Sequence, residues 1–332
     1  MKKLKTGFDN YCLHPRGLLP FELVKWGMMN GAEGVAFSGF NDSVRDQFTT
    51  SYLHDVRQLA ADNDMYLEWG NGQHVPMDLT SFTPKDIFTV NRKAVGEAYA
   101  LGTNIIRSCS GGLMRWKKDS PSTEHLLKES ASSLKKQATL FRDYGMTLAI
   151  ETHFEFTTFE LLRLFEMCEV SPGDWLGICL DTMNLLAMIE EPVEATHRVL
   201  PWIVSTHIKD GGILTNEEGM ITFPAPLGDG IIDIAAIIGM VSGLERDINL
   251  SVECHGGSFS LPVNETWFIE RFPDLPVLEY DQLLELSEST GVKMNTEGLK
   301  ITPRESWQDI CETRTKSDIK KLRIIRDRLQ ID

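Results

Sequence analysis

The sequence predicts an α/β protein folded as a single (β/α)8 barrel with a C-terminal helical extension. Three observations predict it. Short apolar runs alternate with longer amphipathic ones from the first residues to about residue 257, the rhythm of a repeated strand and helix. The pattern occupies about 255 residues, close to the roughly 250 of a typical closed barrel. No GxGxxG follows the first strand, which removes the main sign of an open, dinucleotide-binding sheet. Residues 1–290 are assigned to the barrel and 291–332 to a helical extension packed on it or on a neighbouring subunit.

The first strand, residues 5–13, is entered directly from a basic tip, MKKLK, and leads to a helix at 21–30. Strand 34–40 precedes helix 44–63, strand 65–70 precedes helix 86–101, and strand 104–110 precedes helix 123–144. That helix opens with Ser122 or Thr123 ahead of EHLLKESASSLKKQATLF, a residue pattern that caps and starts helices. Strand 146–154 is followed by helix 158–168 and strand 176–184 by helix 193–200. Strand 203–210 is followed by a long connection, 211–232, and a helix at 234–245 that starts after the glycine-rich turn LGDGIID. A connection that long reads as a lid or part of a site. Strand 248–255 is followed by an eighth helix at 277–288. The charged tail DIKKLRIIRDRL sets Ile319, Leu322, Ile325 and Leu329 at helical spacing. That spacing suits a packing helix, a subunit contact in a homodimer or homotetramer, or a solvated face.

The chain has 332 residues, with 33 Lys and Arg against 48 Asp and Glu, a net charge of −15. So acidic a surface repels a phosphate backbone, and no basic stripe offsets it, so nucleic acid is not an expected partner. No run approaches the roughly 18 apolar residues of a membrane span, and the start does not read as a leader. A cytoplasmic protein without membrane partners is expected. The six cysteines show no CxxC spacing and are read as reduced and mostly buried. Cys109 and Cys254 fall at strand ends, where a small apolar filler is favoured over a nucleophile.

In a barrel of this kind the C-terminal strand ends surround the active site. Four consecutive strands end in metal-ligating residues: Glu151 in AIETH, Asp181 in CLDTMN, His207 in STHIKD and Glu253 in SVECHGG. Solvent exposure or helix capping would account for any one of them. Four in register on neighbouring, otherwise apolar strands require a compensating charge between them, because buried unpaired ions are costly. Three carboxylates and one imidazole suit Mn²⁺, the first expectation, or Mg²⁺, Co²⁺ or Zn²⁺, and the lack of thiolate argues against a structural zinc. Residues two apart on a strand share a face, which sets His153, Lys209 and His255 beside Glu151, His207 and Glu253. Lys209 and His255 are catalytic candidates. His153, Arg107 on strand four, Glu68 at the end of strand three, and His74 are candidates for binding substrate, with Arg107 equally able to pair Glu68 or Glu151. Asp9, Asn10, Trp69 and Trp116 are weaker candidates, the tryptophans as an apolar wall for a sugar ring, with core packing the default for such aromatics.

At IETH, LDTMN, THIKD and VECHG, and at the turn PLGDGIID, the sequence resembles the xylose isomerase-like TIM-barrel superfamily, in its sugar phosphate isomerase/epimerase-type branch. The resemblance implies one divalent ion held by Glu151, Asp181, His207 and Glu253. It also implies that Glu151 and Glu253 serve as the acid/base pair, one on each face of the substrate. One position departs: epimerases of this type carry a histidine three residues after the strand-six aspartate, where this chain has Asn184. Asn184 can hydrogen-bond substrate but cannot carry a proton. The segments GFDNYCLHPRG and EGVAFSG resemble 3-oxo-isoapionate decarboxylase-like members of the superfamily.

The expected activity is a divalent-metal-dependent isomerase or epimerase that acts on a small ketose or keto sugar acid through a metal-stabilised enediolate. The alternative is a metal-dependent lyase, a decarboxylase or dehydratase of a sugar-derived keto acid. A nuclease on the same barrel would need a multi-metal cluster and a basic surface that the sequence lacks.

Overall fold

The computed structural model describes residues 4–329. Residues 1–3 of the expected basic tip and 330–332 of the expected extension lie outside them. Eight parallel strands close the barrel: β1 (Thr6–Asp9), β2 (Gly34–Ala36), β3 (Tyr66–Gly72), β4 (Ile105–Ser108), β5 (Thr147–Glu151), β6 (Leu176–Asp181), β7 (Ile203–Ile208) and β10 (Leu250–Val252). Each pairs with its sequence neighbour, and β10 returns to β1. Three further strands, β8 (Asp210–Asn216), β9 (Gly219–Ala225) and β11 (Phe259–Leu261), form a separate antiparallel sheet. The predicted barrel and its C-terminal helix are therefore present.

The helices are α1 (Pro20–Met29), α2 (Asp42–Arg45), α3 (Thr50–Ala61), α4 (Ile87–Leu101), α5 (Thr123–Lys135), α6 (Ala138–Asp143) and α7 (Thr158–Met167). They continue with α8 (Asn184–Ala187), α9 (Pro192–Val199), α10 (Ile234–Ser242), α11 (Thr266–Ile269), α12 (Val277–Thr296) and α13 (Trp307–Leu329). Local chemistry sets several starts: Thr49, Ser122 and Thr157 each accept a backbone N–H from the first turn, and Glu160 completes a capping box with Thr157. Two predicted helices are interrupted. The expected helix at 44–63 becomes α2 and α3, and the one at 123–144 becomes α5 and α6.

The connection expected as a loop at 211–232 is instead the β8–β9 hairpin followed by a glycine turn. Asn216 Oδ1 accepts the Glu218 N–H in the two-residue turn, an Asx device that reverses the chain. The turn after β9 wraps the buried Asp210 carboxylate, which accepts N–H groups from Gly211, Gly228, Gly230 and Ile232. A Cβ on Gly230 would lie 2.1 Å from Asp210 Oδ1, so only glycine admits that approach.

The eighth helix also differs from expectation. The helix predicted at 277–288 is present as α12 but packs on β8 of the hairpin. The position outside β10 and β1, beside α10, is filled by α13. Trp307, Cys311, Ile319 and Leu322 are buried along its inner face, while Ile325 and Leu329 are half-buried. Arg326 donates to Leu4 O at 2.8 Å and pairs with Glu33 at 2.5 Å. The helix is a wall of the barrel because its apolar stripe covers the seam where the sheet closes. All six cysteines are free, and all but the half-buried Cys109 are buried. Among the described residues no helix is long and apolar enough to cross a membrane.

Candidate metal and substrate site

Parallel pairing aligns the ends of neighbouring strands. Glu151 of β5 lies opposite Cys179 of β6, Asp181 of β6 opposite His207 of β7, and His207 opposite Ser251 of β10, two residues before Glu253. Glu151, Asp181, His207 and Glu253 are all buried, and one ligand atom from each lies within 4.8 Å of the others. His207 Nδ1 sits between the two glutamates, 2.7 Å from Glu253 Oε2 and 3.3 Å from Glu151 Oε1. Its Nε2 faces Asp9 Oδ2 at 3.4 Å, so a carboxylate backs the imidazole.

The charges are arranged in opposition. Lys209 Nζ lies 2.9 Å from Asp181 Oδ2 and 2.7 Å from Glu253 Oε1, and Arg107 pairs with Glu151. Burial alone would raise the Glu151 carboxyl, but Arg107 and His207 reverse this and hold it down to about 2. Against the same burial, Lys209 and His207 hold Glu253 well below the usual carboxylate range. Asp181 goes the other way, because burial outweighs Lys209 and raises it. Both glutamates are thus ionised and available as ligands.

The residues fit a divalent cation. Glu151 Oε2 and Asp181 Oδ2 are buried and make no hydrogen bond of good geometry, their cationic neighbours being charge contacts only. Three hard carboxylates and one imidazole converge on one point, a donor set for Mn²⁺, Mg²⁺, Co²⁺ or Zn²⁺. A carboxylate behind a ligating histidine fixes its ring and tautomer, and losing such a partner weakens metal binding by about 10–100-fold. Asp9→Ala is expected to lose Mn²⁺ affinity in that range by calorimetry; an unchanged affinity would remove Asp9 from the site.

Above this cluster opens a cavity of about 310 Å³. Arg107, His153, Asn184, Lys209 and His255 line it with Glu151 and Glu253. Asn184, at the start of α8, has its Nδ2 3.5 Å from Glu151 Oε1. His153 Nδ1 is 2.7 Å from Glu155 Oε2, with half-buried Cys109 nearby. His255 Nδ1 donates to Gly256 O at 2.9 Å, and burial, helped by Lys209, pushes this imidazole down to about 4.

Other candidates lie away from the cavity wall. Strand β3 runs on to Gly72, so Glu68 is inside the barrel and not at a strand end; it accepts hydrogen bonds from Ser205 and Asn249. His74 is buried against Phe156, with Nδ1 2.9 Å from Ser108 Oγ. Trp69 is a fully buried core residue donating to Glu97, and Trp116 donates to Ser260 O while packing on Phe154. Neither tryptophan lines the cavity; Phe154 and Phe259, with ring centroids 4.8 Å apart, supply its apolar wall. Asn10 accepts the Ser38 N–H and steadies the loop after β2. Cys254 is buried against Cys12, the filler role expected of it.

Sequence reasoning missed Tyr11, Phe154, Phe259 and Arg304 in the cavity wall. Phe154 adjoins His153 and could have been found by extending the strand-five motif. Phe259 and Arg304 follow the last barrel strand, and no local pattern marks them.

Comparison with known proteins supplies the remaining evidence. A segment of 116 residues is 34% identical to the 3-oxo-isoapionate decarboxylase of Pectobacterium atrosepticum, covering 34% of this chain and 41% of that protein. The solved structure of an L-ribulose 3-epimerase superposes over 99% of this chain and 96% of its own, with a TM-score of 0.62 and 15% identity. A probable 3-DHS dehydratase, AsbF, from Bacillus anthracis superposes over 82% and 99% with a TM-score of 0.57 and 19% identity. Identities this low speak for the fold alone. The sequence profile of one family matches residues 28–271, most of the barrel, and the chain belongs to that family, the xylose isomerase-like TIM barrels.

Proposed function

We propose that this protein is a divalent-metal-dependent isomerase or epimerase of a small ketose or keto sugar acid, with Glu151 and Glu253 as its acid/base pair. One observation carries the reading: four ligating side chains from consecutive strands converge to within 4.8 Å, with His207 between the two glutamates. A divalent cation, Mn²⁺ first, held by Glu151, Asp181, His207 and Glu253 supplies Lewis-acid polarisation of neighbouring substrate oxygens. One glutamate takes the proton from the carbon beside the carbonyl, and the C–H electron pair moves towards the carbonyl oxygen. The other glutamate, which takes up a solvent proton when substrate binds, returns that proton to carbon on the opposite face, and the first then releases its own to solvent. Lys209 holds Glu253 and Asp181 in position, Arg107 does the same for Glu151, and Asn184 offers an amide beside Glu151. Phe154 and Phe259 make one wall of the cavity apolar, which lowers the local dielectric on that side and strengthens these electrostatic contacts.

A second reading, a lyase acting on a sugar-derived keto acid, is favoured by two observations. The named decarboxylase is 34% identical over the matched segment, and Asn184 stands where an epimerase of this type would carry a proton-accepting histidine. In this reading a decarboxylation moves the electron pair of the broken C–CO₂ bond towards the carbonyl as CO₂ leaves, and the Lys209 ammonium returns a proton to that carbon. In a dehydration a glutamate breaks the C–H bond, and the C–O pair leaves with the hydroxyl group, which Lys209 protonates to water.

The test is a panel of ketoses and keto sugar acids assayed in D₂O after chelator stripping, with Mn²⁺, Mg²⁺, Co²⁺ or Zn²⁺ restored. Turnover that depends on metal and places deuterium at the substrate carbon supports the isomerase. Metal-dependent release of CO₂, or an enone absorbance, selects the lyase. Turnover surviving complete metal removal overturns both.

A further inference from the structure

We infer that Arg304 makes the rim of the cavity an anion site, so that the substrate carries a carboxylate or phosphate at the end remote from the buried cluster. The inference rests on the reading that this cluster grips the other end of a small polyol. Arg304 comes from the C-terminal region, whose expected role was packing, yet it lines the same cavity as Glu151, Lys209 and Glu253.

The other fixed cations of that wall are already neutralised. Arg107 is paired with Glu151, and Lys209 with both Asp181 and Glu253. Arg304 is exposed and, among the described residues, has no ion pair and no side-chain hydrogen bond. It is therefore the one guanidinium or ammonium group lining the cavity whose charge is uncommitted. The Tyr11 hydroxyl in the same wall also has no hydrogen-bond partner among the described residues.

Its position is held by the fold. The segment before it is laced to the loop that follows Glu253: Gly257 N donates to Thr302 O at 2.9 Å. A Cβ on Gly256 would lie 2.6 Å from Pro303 O, so this loop must be glycine for the segment to approach. Three residues on, buried Trp307 donates to Cys12 O at 3.0 Å, which ties the start of α13 beside Tyr11. The guanidinium is thus presented at the mouth from an anchored backbone, with planar, bidentate donors that match carboxylate or phosphate oxygens.

The test uses the full-length, Mn²⁺-loaded protein and three probes of equal carbon count: neutral xylitol, D-xylonate and xylitol 5-phosphate. Calorimetry is expected to show at least one anion bound about tenfold or more tightly than xylitol, the gain of a charge-assisted hydrogen bond. Arg304→Ala should erase that preference, Arg304→Lys should restore part of it, and Arg304→Glu should invert it. The favoured anion distinguishes a sugar acid from a sugar phosphate. Equal affinity of the wild type for all three probes, or an equal loss for all three in Arg304→Ala, overturns the inference. Failure of the wild type to retain Mn²⁺ would instead strike the metal reading, which Arg304 does not bear on.

Discussion

Glu253→Gln is expected to lower turnover by about 10²–10⁴-fold, the usual contribution of a positioned acid or base. The substitution keeps the shape of the side chain but removes both its charge and its ability to accept a proton. Glu253 is the more sensitive of the pair, because Lys209 and His207 both depend on it: Lys209 Nζ is 2.7 Å from Oε1 and His207 Nδ1 is 2.7 Å from Oε2. Glu151→Gln should fall in the same range, with Arg107 left unpaired in the cavity wall. Metal content measured on each variant separates lost ligation from lost proton transfer. A variant that binds metal as the wild type does yet keeps full turnover would exclude that glutamate as acid or base.

The largest effect on stability is expected at Arg115, in the connection after β4. Its side chain is fully buried, pairs with Glu160, donates to Glu155 O at 3.2 Å, and stacks its guanidinium 4.7 Å from the Phe272 ring centroid. Arg115→Ala leaves the Glu160 carboxylate buried without its cation, a loss of about 3–5 kcal/mol. Urea denaturation should show it as a lower midpoint. Arg115→Met combined with Glu160→Gln removes the stranded charge and should recover much of the difference. A loss for Arg115→Ala below about 1 kcal/mol, the range of an exposed pair, would mean that the pair is screened by water after all.

Much of the site was legible because a strand's ends are written locally. Apolar runs that each finish in one ionisable residue placed Glu151, Asp181, His207 and Glu253 correctly at one end of the barrel, and the two-residue alternation brought His153, Lys209 and His255 to the same cavity. The misplacements share a cause. Glu68 was assigned to a strand end, but β3 continues four residues beyond it, and pairing with Ser205 and Asn249 inside the barrel was invisible to a local pattern. For Trp69 and Trp116 core packing, the default reading, holds and the sugar-facing wall does not, because which aromatic faces a cavity depends on how distant segments close over it.

Alternation of apolar runs and amphipathic segments determined a parallel sheet with helical crossovers, because each period buries its apolar face on a different backbone, and the length of the pattern without a GxGxxG selected the closed barrel over an open sheet. The residue types at the strand ends likewise determined a site able to hold a hard divalent cation. The sequence alone did not decide which helix closes the barrel: α12 and α13 both carry apolar faces, and only the competition between the hairpin and the open seam sent α12 to one and α13 to the other. That choice also carried Arg304 to the cavity rim, some fifty residues after Glu253 in the chain. Contacts across such separations depend on the summed packing of the whole chain, so they exist only once the tertiary structure has formed.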